Sequence, residues 1–116
     1  MPSRTAAVST LRTRDFDRLH RQPARRQRSR RFQALARPNG LGRARWGIAV
    51  RARLGNAVLR NRVKRRLREI LRRLALAPGW DVVVQPRDAA VATADFAGLR
   101  DELTALLEKT LQGEGR

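Results

Sequence analysis

Cysteine is absent from the 116 residues, and histidine occurs once, as His20. Without cysteine there can be no disulfide, thiolate zinc site or cysteine nucleophile. A single histidine supplies neither a two-histidine metal site nor a histidine pair for acid–base work. Acidic residues are scarce, ten Asp and Glu against 27 Lys and Arg. Two of the ten, Asp15 and Asp17, are spaced i and i+2, so on a helix they do not face each other. No pair of carboxylates is arranged for two-metal chemistry, and catalysis by protein side chains is disfavoured. Long hydrophobic runs are also missing. Val82-Val83-Val84 and Leu74 to Ala77 fall far short of the roughly 18 residues that signal a membrane span, so no membrane partner is expected. Aromatic rings are limited to Phe16, Phe32, Phe96, Trp46 and Trp80.

What the chain has in abundance is positive charge. The formal net charge is +17, and Lys64 and Lys109 are the only lysines, so the cations are almost all guanidinium groups. Guanidinium forks onto phosphate and stacks on bases in ways an ammonium cannot. Such an excess calls for a polyanionic partner, with nucleic acid the leading candidate. Residues 1–77 hold 23 Lys and Arg against three acidic residues, whereas residues 78–116 hold four against seven. The binding surface is therefore expected in the first two-thirds.

A single domain is expected over residues 11–111, between an N-terminus (1–10) and a tail (112–116) that fray. Thr13 can cap a short helix to about His20, with Phe16, Leu19 and His20 on one face. Residues 21–30 are basic, and Pro23 blocks helix continuation; they read as a connector. Phe32 to Ala36 is a strand candidate ended by the turn signal Pro38-Asn39-Gly40. Over Arg45 to Arg51, Trp46, Ile48 and Val50 alternate with polar or small residues, which predicts a half-buried strand. Asn56 suits the N-cap of a helix reaching about Leu76, before Pro78-Gly79. Its Leu59, Val63, Leu67, Ile70, Leu71 and Leu74 form an apolar stripe. Asp81 to Gln85 reads as a buried strand. Phe96, Leu99, Leu103, Leu106 and Leu107 mark a last amphipathic helix, capped by Thr93 or Asp95. The fold class is α/β (α+β): a two-layer sandwich of a small central sheet and about three helices in αβββαβα-like order.

The long helix is the chemically distinctive element. At about 100° per residue, Asn61, Lys64, Arg65, Arg68 and Arg72 form one flank opposite the apolar stripe. Arg62, Arg66 and Arg73 occupy the other flank. Arg60 falls at the stripe's edge, so its stem should lie on the core with its head reaching outward. Like charges at i, i+4 each cost a few tenths of a kcal/mol, and Glu69 is the only acid on the helix. A solvated face would mix signs. Phosphate binding offsets the repulsion through counterion release, and the helix N-terminus at Asn56 adds free N–H groups.

The segment Gly55-Asn56-Ala57-Val58-Leu59-Arg60-Asn61-Arg62-Val63-Lys64-Arg65-Arg66-Leu67-Arg68-Glu69 closely resembles the signature of the bacterial ribonuclease P protein family. Leu11-Arg12 and Asp15-Phe16 resemble that family's opening, Arg45 to Val50 its strand before the motif, and Asp81 to Val84 its strand after it. The resemblance implies an α/β sandwich with a left-handed βαβ crossover. It also implies a role as protein subunit of an endoribonuclease whose RNA subunit carries the catalysis with Mg²⁺, removing the 5′ leader from precursor tRNA in the bacterial cytoplasm. The implied partners are the catalytic RNA and precursor tRNA, with no obligate protein partner.

Carried over position by position, the resemblance makes Arg60, Asn61, Arg62, Lys64, Arg65 and Arg68 contacts to the RNA subunit. Phe16, His20, Phe32, Arg51 and Arg53 become candidates for a cleft that holds the leader, with no catalytic or metal-ligating residue in the protein. Single-stranded RNA suits such a cleft, because stacking on a ring contributes about 1–3 kcal/mol per base whatever the base. Phe16 and Phe32 are equally open to a core role. His20 stands where the family commonly has an aromatic, and Arg51-Ala52-Arg53 replaces a serine followed by two lysines. The rival reading is a ribosomal-type structural RNA-binding protein, which size and charge fit equally well. A DNA-binding regulator fits less well, since the helix ends at Pro78-Gly79 without sustained heptads.

Overall fold

The computed structural model describes residues 5–6 and 11–112. In chain order these form strand β1 (Thr5–Ala6), helix α1 (Thr13–Arg21), and strands β2 (Arg25–Arg28), β3 (Phe32–Pro38) and β4 (Arg45–Ile48). Helix α2 (Ala57–Arg73), strands β5 (Ala75–Leu76) and β6 (Trp80–Pro86) and helix α3 (Phe96–Thr110) follow. Apart from the short β1–β5 pair, the order is the expected αβββαβα.

The main sheet runs β2-β3-β6-β4. β3 pairs antiparallel with β2 and β6, whereas β4 lies parallel to β6, with Trp46 opposite Val82 and Ile48 opposite Val84. Parallel neighbours need a crossover, and the chain between β4 and β6 contains α2. The period-2 alternation of strands sorts side chains to two faces. Phe32, Ala34, Ala36, Trp46, Val82 and Val84 join Val63, Leu67 and Leu71 of α2 and Leu99, Leu103 and Leu107 of α3 in the main core. On the other face, Leu19 of α1 packs on Leu35 and Val83, with Leu11, Phe16 and Ala49 around them. Helices α2 and α3 thus form the second layer of the sandwich, and α1 covers part of the sheet's open face.

Gly47 sits under α1 for a steric reason: a Cβ built there would lie 2.3 Å from Phe16 Cζ. Two arginines strap the scaffold. Arg66 donates to the carbonyls of Val91 (2.8 Å) and Ala94 (2.6 Å) and lies over the Phe96 ring. Arg31 ties the turn after β2 to α3 through Glu102 at 2.7 Å, and Ser29 donates to the same carboxylate.

Several expected boundaries shift. Residues 21–30 are not only a connector, because Arg25–Arg28 is an edge strand. It shows no apolar alternation because Arg25 takes the inward place: its guanidinium lies 5.0 Å from the Trp80 ring centroid and donates to the carbonyls of Thr110 and Gln112. Thr13 lies inside α1 and Arg12 holds the cap position, where its N–H donates to the Asp15 carboxylate at 3.0 Å. Helix α2 stops at Arg73 rather than near Leu76, since Ala75 and Leu76 pair with Ala6 and Thr5. That pairing also departs from the expected fraying of residues 1–10; the rest of that stretch, and residues 113–116 of the tail, lie outside the described residues. β4 ends at Ile48 rather than Arg51, although the Ala49 N–H still reaches the Val84 carbonyl at 3.0 Å. Asp95, not Thr93, caps α3, accepting from the Gly98 N–H at 2.9 Å.

Candidate nucleic-acid interface

The N-terminus of α2 is set by Asn56, whose side-chain oxygen accepts from the Leu59 N–H at 2.9 Å. From that start, burial of Val63, Leu67, Ile70 and Leu71 fixes the rotation of the helix. Asn61, Arg62, Arg65, Arg68 and Arg72 are exposed and Lys64 is half-buried. Arg60 is half-buried as expected, and its Nε is buried with no hydrogen-bond partner. Arg66, strapped to the turn after β6, is withdrawn from this surface. The only ion pair on the helix among the described residues is the exposed Glu69–Arg73 contact at 2.5 Å, a class of pair worth little in water. Arg62, Arg65, Arg68 and Arg72 are exposed, and neither they nor the half-buried Lys64 have an acidic partner among the described residues.

A second feature lies on the open sheet face beside α1. A cavity of about 260 Å³ is lined by Arg28, Gln33, Arg51, Arg53, Gln85 and Arg87, with Leu54 and Pro86. Its floor is a chain of hydrogen bonds. Arg28 Nε donates to Gln33 Oε1 (3.0 Å), and Gln33 Nε2 donates to Gln85 Oε1 (2.7 Å). Gln85 Nε2 then meets His20 Nε2 at 2.8 Å, and His20 Nδ1 meets the Phe16 carbonyl at 2.9 Å. A guanidinium can only donate and a carbonyl can only accept, so the two ends fix one direction throughout. His20 therefore carries its proton on Nδ1 and accepts at Nε2.

Of the five cleft residues expected from sequence, Arg51 and Arg53 line the cavity, and His20 stands beside it, bonded to Gln85 of its lining. Phe16 is half-buried over Gly47 beside the cleft. Phe32 does not belong to it: the residue is fully buried on the opposite face with Ala34 and Ala36, because Gln33 and Leu35 hold the cleft-facing positions of β3. Sequence reading missed Arg28, Gln33, Gln85 and Arg87. The parity of Val83, which faces α1, would have placed Gln85 on the same face.

Arg51 and Arg53 join the two features. Arg51 caps and Arg53 lies within the one-turn helix Ala52–Leu54, just before the Asn56 cap, so the cleft runs into the α2 surface. A nearby carboxylate is already spent: Arg45 binds Asp81 through two nitrogens at 2.8 and 2.6 Å, with Asp15 at 3.7 Å. That hydrogen bond holds the Arg45 guanidinium above its ordinary pKa, burial opposing it and the Asp81 and Asp15 charges assisting.

The sequence matches the family profile described as Ribonuclease P over residues 7–111. It is 41% identical over 112 residues to the ribonuclease P protein component of Ruegeria pomeroyi, spanning 90% of this chain and 88% of that protein. It is 44% identical over 82 residues to that of Roseiflexus castenholzii, covering 69% of this chain and 64% of that protein's length. Among solved structures, the Thermotoga maritima RNase P protein superposes with a TM-score of 0.78 at 35% identity, covering 85% of this chain and 94% of that one. The Staphylococcus aureus RNase P protein gives 0.71 at 25% identity, covering 90% and 94%. The chain belongs to the ribonuclease P protein family, whose members are the protein component of that tRNA-processing ribonucleoprotein nuclease.

Proposed function

We propose that this chain binds the catalytic RNA of ribonuclease P through α2 and receives the 5′ leader of precursor tRNA in the cleft beside α1, assisting leader removal in the bacterial cytoplasm. The observation that carries this reading is the outward basic face of α2, joined through Arg51 and Arg53 to an arginine-lined cavity. Arg60, Asn61, Arg62, Lys64, Arg65 and Arg68 serve the RNA subunit. Arg51 and Arg53 track leader phosphates, and Phe16 and His20 edge the path where bases can stack. Mg²⁺ belongs mainly to the RNA subunit in this reading. The nearby carboxylates do not suit it, since Asp15 and Asp81 face Arg45 and Glu69 faces Arg73. Membership of the family favours this role over a ribosomal one, and no helix among the described residues is long and apolar enough to cross a membrane.

The test is binding by the holoenzyme reconstituted with the catalytic RNA. The protein should raise affinity for leader-bearing precursor well above any gain for mature tRNA. An equal gain for both would remove the leader from the protein's role.

A further inference from the structure

The cleft and α2 do not account for all the exposed positive charge. Arg14, Arg18 and Arg21 follow one stripe of α1 at i, i+4 and i+7, all exposed. With Asp15 and Gln22 they line a groove of about 510 Å³. None of the three has an ion-pair partner among the described residues. Asp15, the carboxylate in the groove, accepts from the Arg12 N–H and lies by Arg45, so its charge is engaged. Asp17, the other acid on α1, is exposed and makes no ion pair among the described residues.

Edge strand β2 joins this groove to the cleft. Its Arg28 pairs with Gln33 in the cleft, and Arg26 pairs with Leu35, beneath Leu19 of α1. Arg26 and Arg28 share the cleft-side face of β2, both exposed, roughly 6.8 Å apart at the strand rise. One step further back along the chain, the Ala24 N–H bonds the Ala36 carbonyl, and Gln22 lines the groove. From Arg28 the track therefore passes Arg26 to Arg21 and then Arg18.

We infer that this track is a second binding surface, which carries the phosphate backbone of leader nucleotides lying upstream of those in the cleft. The inference rests on the cleft being the leader site. The groove offers guanidinium groups and no ring: the stripe contains no aromatic residue, so it grips backbone and leaves bases unread. Arginines on an edge strand also guard it against pairing with other sheets, and that role alone predicts no dependence on leader length.

The experiment uses the reconstituted holoenzyme and two precursors, one whose leader ends within the cleft and one with a leader several nucleotides longer. In the wild type the longer leader should bind more tightly. The combined variant Arg18→Gln, Arg21→Gln and Arg26→Gln should lose that gain while binding the short-leader precursor as before. Its salt dependence with the long leader should be shallower by about two in log Kd against log salt, since each single-strand phosphate contact contributes about 0.7. Arg26→Gln alone should remove about a third of the effect, which guards against a folding defect in the combined variant. Unchanged long-leader affinity, or an equal loss with both leaders, overturns the inference. The pair Arg51→Gln and Arg53→Gln, measured in parallel, should weaken both precursors; if both bind that pair as tightly as wild type, the cleft reading fails instead.

Discussion

Gln85 donates its side-chain amide to Nε2 of His20 across 2.8 Å, joining β6 to the last turn of α1. Gln85 is almost fully buried, so the contact matters to the fold as well as to the cleft. Gln85→Leu should strand the half-buried Gln33, costing about 1–3 kcal/mol. Replacing Gln33 and Gln85 together by leucine should cost less, because the groups then left without a partner, His20 and Arg28, are exposed to water. Denaturant unfolding of the three proteins checks the order. Nitrogen NMR of His20 should report the Nδ1–H tautomer in the wild type and a weaker preference in Gln85→Leu, where only the Phe16 carbonyl still favours it.

Phe16 needs the bare backbone of Gly47 beneath it. Gly47→Ala places a methyl 2.3 Å from the Phe16 ring, and such overpacking costs typically about 1–3 kcal/mol. The melting temperature should fall, and leader affinity with it, because α1 must lift from the sheet. Trimming the ring as well, in the double variant with Phe16→Leu, should recover part of the lost stability.

Glu102 holds the turn after β2 against α3, partly buried together with Arg31. Burial alone would raise its pKa, but hydrogen bonds from Ser29, the Arg31 N–H and the Arg31 guanidinium, with that cation's charge, hold it below the ordinary 4.5. A depressed carboxylate stabilises the fold above its unfolded pKa, and the benefit fades as pH falls through the folded value. Glu102→Gln should therefore cost about 1–2 kcal/mol at neutral pH. Its deficit against wild type should shrink as pH drops below 4.5. Thermal melts of both proteins across the acidic range read this out.

Neighbouring arginines on α2 should separate by role. Arg66→Ala loses two carbonyl hydrogen bonds and the Phe96 contact, so it should destabilise the domain by about 1.5–3 kcal/mol. At temperatures where the variant is folded, its RNA affinity should match wild type. Arg62→Ala should do the reverse, leaving stability within about 0.5 kcal/mol and weakening RNA binding.

The elements visible in the sequence were those whose side chains obey a period. Val63, Leu67, Ile70 and Leu71 announced α2, and the buried face of α3 followed the same rule. Trp46 and Ile48 announced β4 by alternation. β2 was hidden because its ladder is made by backbone, and its inward positions are Arg25 and Gln27, whose burial depends on Trp80 and α3, distant in sequence. Phe32 could not be assigned from its type, since an aromatic suits core and cleft equally; only the register of β3 against β6 decides. Arg66 looked like its cationic neighbours until the turn at Val91 and Ala94 folded beneath it. The outward face of α2 was legible because helical geometry alone sets it once the apolar stripe is known.

Charge reversal at Arg62, Lys64 and Arg65, each to glutamate, tests the central claim most directly, since all three lie off the apolar stripe. Titrating that variant into the catalytic RNA, with circular dichroism confirming an intact fold, should show affinity reduced by at least two orders of magnitude and a markedly shallower salt dependence. Affinity for the RNA equal to wild type, in a folded variant, would contradict it.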